Sequence, residues 1–108
     1  MLVVDDDPSL RLLCRVNLEL EGYRVVEAQS IESAQAALAG DEIDVVLLDV
    51  HLGNQDGLSL LPTIKDQGRA VALLTGSPGI LLPEDATIIG KPFAIDELTD
   101  TVQRLASL

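Results

Sequence analysis

The chain has no tryptophan, one tyrosine and one phenylalanine among 108 residues. Aromatics are 2% and hydrophobic residues 47%, so its core must be aliphatic, built from Leu, Val, Ile and Ala. That apolar content excludes a disordered chain. Bases are scarce too: 7 Lys and Arg stand against 18 Asp and Glu, for a net charge of −11. Such a balance argues against direct nucleic acid binding by this chain, because gripping a phosphate backbone requires a basic surface. A DNA-binding partner or a separate output domain stays open. The single Cys14 can form no internal disulfide, which fits a reducing compartment, and it reads as a small packing side chain. No apolar run approaches membrane-spanning length, and no basic segment followed by an apolar stretch precedes the first strand. The expectation is one cytoplasmic domain over residues 1–108 that makes no membrane contact. No internal repeat, linker or low-complexity segment is present.

What the chain does have is an alternation of short apolar runs and helix-period segments. The runs are Leu2-Val3-Val4, Arg24-Val25-Val26, Val45 to Leu48, Val71 to Leu74, and Ile88-Ile89. The first, third and fourth are apolar at successive positions, as in parallel strands covered on both faces. The second has polar flanks and reads as an edge strand. Between them, Asp7 before Pro8 marks a helix start, with Leu10, Leu13, Cys14 and Leu18 as its buried stripe and Gly22 at its end. Ser30 caps a second helix carrying Ile31, Ala34 and Leu38, stopped by Gly40. Leu58, Leu61 and Ile64 mark a third that ends near Gly68, with an irregular first turn around Pro62. Ile95, Leu98, Val102 and Leu105 mark the last. Repeated βα units imply a doubly wound α/β fold.

In such sheets ligands bind beyond the carboxyl ends of the strands. The residues closing the runs are Asp5 and Asp6, Asp49, Thr75, and Lys91 before Pro92. Acids this close repel one another, so a metal ion, a lysine or a helix N-terminus must offset them. Asp7 is accounted for as a helix cap.

The stretches VVDDDPSLR, VVLLDVHLGNQDG, ALLTGS and GKPF, in that order across nearly the whole chain, resemble the receiver domain of bacterial two-component response regulators. The resemblance implies five parallel strands in the order 2-1-3-4-5, and Asp49 as phosphoryl acceptor. It implies Mg²⁺, with Mn²⁺ as a substitute, held by Asp5, Asp6, Asp49 and the backbone carbonyl of His51. Thr75 and Lys91 would contact the phosphoryl oxygens, with a cis bond before Pro92. The partners would be a sensor histidine kinase or a histidine phosphotransfer domain, with an output domain or a homodimer downstream. The domain would be no enzyme beyond its own phosphorylation and dephosphorylation. The chemistry agrees: a carboxylate nucleophile forms an acyl phosphate, phosphoryl transfer needs positioning and charge neutralisation, and a hard cation wants oxygen ligands. Gly57 reads as a turn or the close packing of a helix start. His51 and Ser77, two residues after Asp49 and Thr75, are placed to tune the lifetime of the acyl phosphate.

Three departures from the family pattern stand out. Gly53 replaces a usual Pro, which predicts a looser loop after Asp49. Ile88 replaces a usual aromatic, so ring rotation cannot report activation. The stretch from Thr75 to Lys91 is short and holds Gly76, Pro78, Gly79 and Pro83, which predicts a fourth helix shortened or missing. Two other functions compete. A haloacid-dehalogenase-like phosphatase would use Asp5 as nucleophile and Asp7 as acid, but the chain is short for that fold and Pro8-Ser9 depart from its loop. A pseudo-receiver that binds partners without phosphorylation would not need the complete acid, hydroxyl and ammonium set.

Overall fold

The structure is a computed structural model that describes residues 1–40, 42–76, 82–83 and 85–107. The elements run β1 (Leu2–Val4), α1 (Pro8–Leu20), β2 (Val26–Ala28), α2 (Ile31–Gly40) and β3 (Val45–Asp49). Then come β4 (His51–Leu52), β5 (Gln55–Asp56), a 3₁₀ turn (Gly57–Leu60), α3 (Leu61–Asp66), β6 (Ala70–Thr75), β7 (Thr87–Gly90) and α4 (Ile95–Ala106). Five strands form one parallel sheet in the order β2-β1-β3-β6-β7. Counting only these sheet strands, that is the expected 2-1-3-4-5. β4 and β5 form a separate antiparallel hairpin.

The period of two along each strand sorts the core into two layers. Leu2, Val4, Val46, Leu48 and Leu73 face α2, the 3₁₀ turn and α3, where they pack with Ala34, Leu38, Leu60 and Ile64. Val3, Val45, Leu47, Ala72, Leu74 and Ile89 face α1 and α4, where they meet Cys14, Leu18, Leu98 and Val102. Burying each Leu or Val side chain stabilises the fold by about 1.5–3 kcal/mol. β3 is buried along its whole length, which holds its last residue, Asp49, rigidly at the sheet's carboxyl edge.

Helix ends follow the expected chemistry. The Asp7 side chain accepts from the N–H groups of Ser9 and Leu10, and Pro8 opens α1. Gly22 turns the chain after α1 at φ +94°. Ser30 Oγ accepts the Ser33 N–H at 3.2 Å, while Ser33 Oγ accepts the N–H groups of Gln29 and Ser30. The irregularity expected near Pro62 is the 3₁₀ turn that precedes α3.

Three sequence expectations change. β2 begins two residues later than Arg24, because Tyr23 to Val25 are used in the return from Gly22 and the register with β1 starts at Val26. Leu13 is 43% exposed and lies off the buried stripe. With Leu12 at 58%, Val16 at 48% and Leu20 at 80%, it forms a second apolar face on α1 that points away from the sheet. The loop after Asp49 is not loose but closes into the β4–β5 hairpin, with His51 opposite Asp56 and Leu52 opposite Gln55. The expected reduction of a helix between Thr75 and Ala86 falls mainly on residues 77–81 and 84, which lie outside the described residues. Leu82, Pro83, Asp85 and Ala86, which are described, belong to no helix.

Candidate functional site

Four side chains, those of Asp5, Asp6, Asp49 and Lys91, meet at the edge where β1, β3, β6 and β7 end. Asp5 follows β1 and is fully buried. Its N–H donates to the Ala28 carbonyl at 3.0 Å, and its own carbonyl accepts Arg11 Nη1 at 2.7 Å. Asp5 Oδ1 accepts the Asp7 N–H at 2.9 Å, and Oδ2 accepts Lys91 Nζ at 2.8 Å. Every polar group of Asp5 is thereby used, which is what a fully buried carboxylate requires.

Asp49 closes β3 and is 4% exposed. Its Oδ1 accepts the His51 N–H at 3.1 Å, and its Oδ2 lies 3.3 Å from Lys91 Nζ. Burial pushes the Asp49 pKa above the ordinary carboxylate value. The His51 N–H opposes the rise, the charge of Asp5 adds to it, and Lys91 again opposes it. Lys91 shows the complementary balance. Burial works against its ammonium, yet hydrogen bonds and charge attraction from Asp5 and Asp49 outweigh it and raise the pKa.

Asp6 is the exposed acid of the three. Its Oδ2 accepts the Gly53 N–H at 3.0 Å, from the tip of the hairpin. Carboxylate oxygens of Asp5, Asp6 and Asp49 lie within 4.8 Å of one another. An all-oxygen set of this spacing fits a hard divalent cation and offers nothing that a soft metal prefers.

Thr75 ends β6 opposite Gly90, and its carbonyl accepts the Lys91 N–H at 2.8 Å. The Lys91–Pro92 bond is cis, as expected. The His51 side chain is exposed, and it is the residue's backbone N–H that engages Asp49. Gly57 sits against the end of β3, and a Cβ there would collide with the Asp49 carbonyl oxygen and lie 3.2 Å from that of Val50. Gly57 N–H donates to the Val50 carbonyl at 2.8 Å. The close packing read from the sequence is thus directed at the backbone of Asp49 itself. Ser77 lies outside the described residues. A cleft of about 1480 Å³ at the opposite sheet edge, lined by Arg24, Ile43, Lys65 and Arg69 among others, contains none of the rim acids.

Sequence reasoning missed three contributors. Arg11 binds the Asp5 carbonyl and pairs with Glu27 at 3.1 Å, and Arg15 pairs with Glu27 at 3.0 Å. Their i, i+4 spacing on the α1 flank was the available signal. Gly53 contributes through its backbone N–H, which a proline at that position would lack.

Asp7 is spent as the α1 cap, so the acid that a haloacid-dehalogenase-like phosphatase would need is engaged elsewhere. Residues 1–103 match the family model of the response regulator receiver domain. The chain belongs to that family. Receiver domains are the phosphoacceptor signalling modules of two-component systems and not enzymes in the usual sense. The chain is 33% identical to the receiver domain of NtrX from Brucella abortus, with a TM-score of 0.86 over 98% of this chain and 97% of that one. It is 31% identical to the response regulator TrrA from Thermotoga maritima, solved in complex with Mg²⁺-BeF, with a TM-score of 0.83 and 96% of each chain covered. Sporulation initiation phosphotransferase F from Bacillus subtilis is 28% identical over 100% of this chain and 94% of its own length. The transcriptional regulators AruR and DctD of Pseudomonas aeruginosa are 40% and 32% identical, over 70% and 96% of this chain. This chain spans about a third of AruR and a quarter of DctD. Among the described residues no helix is long and apolar enough to cross a membrane.

Proposed function

We propose that Asp49 accepts a phosphoryl group from a phosphohistidine on a sensor kinase or a histidine phosphotransfer domain. The observation that carries this reading is the meeting of Asp5, Asp6, Asp49 and Lys91 at one rim, with Lys91 Nζ bonded to two of the three acids. An Asp49 oxygen attacks phosphorus, the P–N bond breaks, and the imidazole leaves as the acyl phosphate forms. Asp5, Asp6, Asp49 and the His51 carbonyl would hold Mg²⁺, or Mn²⁺ in its place. When bound, the ion neutralises charge on the phosphoryl oxygens. Lys91, freed from part of its pairing with Asp49, turns its ammonium to a phosphoryl oxygen, and Thr75 provides a hydroxyl on the same side. The Mg²⁺-BeF complex of the similar TrrA supports the choice of ion.

The outward apolar face of α1 is the surface we assign to the phosphodonor. α1 starts at the rim through its Asp7 cap, so a protein seated on Leu12, Leu13 and Val16 lies beside Asp49's edge of the sheet. Residues 1–108 would act as one cytoplasmic receiver, alone or joined to an output domain or a second copy. Retained phosphorelay from a phosphorylated histidine donor, with Mg²⁺ required, is the expected result. A chain that takes no phosphate from any donor but still binds partners would be a pseudo-receiver.

A further inference from the structure

Asp6 is the exposed member of the acid cluster, and its carboxylate accepts one hydrogen bond among the described residues, from the Gly53 N–H at 3.0 Å. The two residues are 47 apart in sequence. Gly53 is held at the hairpin tip at φ +61°, a conformation that favours glycine. The hairpin below it is anchored on both sides. His51 N–H binds Asp49, Gly57 N–H binds Val50, Gln55 Oε1 accepts the Ile31 N–H at 3.1 Å, and Gln55 Nε2 donates to Glu32 at 3.1 Å. The N–H therefore reaches Asp6 from a fixed support.

We propose that Gly53 is a positioning residue for the divalent ion: its backbone N–H fixes the rotation of the Asp6 carboxylate at the rim. An exposed aspartate would otherwise sample several rotamers, and ordering it would count against ion binding. The same N–H offsets part of the repulsion between Asp6 and its acidic neighbours while the ion is absent. A proline at this position, with no N–H, could not supply either effect. The inference rests on the proposed metal site.

The test measures Mg²⁺ and Mn²⁺ affinity by thermal shift and by Mn²⁺ electron paramagnetic resonance. Replacing Gly53 with glycolic acid by semisynthesis exchanges the N–H for an ester oxygen and keeps the backbone's freedom. Gly53→Asn keeps the N–H and tolerates positive φ. Partners in the outer shell of metal sites typically change affinity about 10–100-fold, so the ester variant should bind about tenfold more weakly while Gly53→Asn stays within about twofold. In an Asp6→Ala background, which removes the acceptor, the ester should cause no further loss. Unchanged affinity in the ester variant, or an equal loss in the Asp6→Ala background, overturns the inference. If the unsubstituted chain binds neither ion, the metal site itself is refuted and the inference falls with it.

Discussion

Lys91 and Asp5, 86 residues apart, form an ion pair at 2.8 Å in which the carboxylate is fully buried and the lysine side chain only a quarter exposed. The pair joins the first and last strands' ends and, through Asp49 at 3.3 Å, the central one. It accounts for how the chain tolerates two buried acids whose carboxylate oxygens lie within 4.8 Å of each other.

Lys91→Met should leave Asp5 and Asp49 without a cation. Removing one partner of a buried pair costs about 3–5 kcal/mol, and the lysine's partial exposure lowers this to about 2–4. The loss should appear in urea unfolding at neutral pH. Because the lysine's folded pKa is raised, its stabilisation is fully present below the ordinary lysine value and is lost as pH rises through the raised one. The variant and the unsubstituted chain should therefore converge at strongly alkaline pH.

Cys14 gives a second alkaline signature. Burial, then the charge of Asp5, pushes its thiol up to about 11 from 9.0, with Lys91 pulling the other way. Between those values the unfolded chain loses a proton that the folded chain keeps, so stability falls as pH rises through that window. The full effect is about 3 kcal/mol. Cys14→Ala should lower stability at neutral pH by leaving a small void but flatten the alkaline limb. A parallel alkaline fall in both proteins would contradict the assignment.

Much of this was legible in the sequence, because parallel strands buried on both faces leave continuous apolar runs and the residue after each run lands on the same edge. The placement of Asp5, Asp6, Asp49, Thr75 and Lys91 follows from that, the α1 cap from Asp7 standing before Pro8, and the sheet order from the resemblance to receiver domains. Leu13 misled because α1 is apolar on two faces, and periodicity cannot say which one meets the sheet. The β4–β5 hairpin was illegible because two-residue strands carry no alternation. The Gly53–Asp6 bond uses a backbone group, which no side-chain pattern reveals.

Gly57→Ala should be severe and Gly40→Ala harmless. The first drives a Cβ into the Asp49 carbonyl oxygen, whereas nothing lies within 4 Å of a Cβ at Gly40. Backbone cannot give way as a flexible side chain can, so Gly57→Ala should cost about 3 kcal/mol or more. Gly40→Ala should lie within about 1 kcal/mol of neutral. Differential scanning calorimetry of the two variants checks the contrast.

On the outward face of α1, Leu12→Ser and Val16→Ser should leave stability within about 1 kcal/mol, since each residue is about half exposed. Phosphotransfer from a phosphorylated histidine donor should slow about tenfold or more, a loss of about 1.4 kcal/mol or more in binding the donor. Modification by acetyl phosphate should not change, because a small donor needs no docking face. Equal slowing with both donors would place the effect at the rim instead.

The most direct measurement is to map phosphate on the chain after incubation with acetyl phosphate and Mg²⁺, with Asp49→Asn alongside. The account predicts Mg²⁺-dependent phosphate on Asp49, removed by a chelator and absent from Asp49→Asn. Phosphate that persists in Asp49→Asn and maps to Asp5, or incorporation that ignores Mg²⁺, would contradict it.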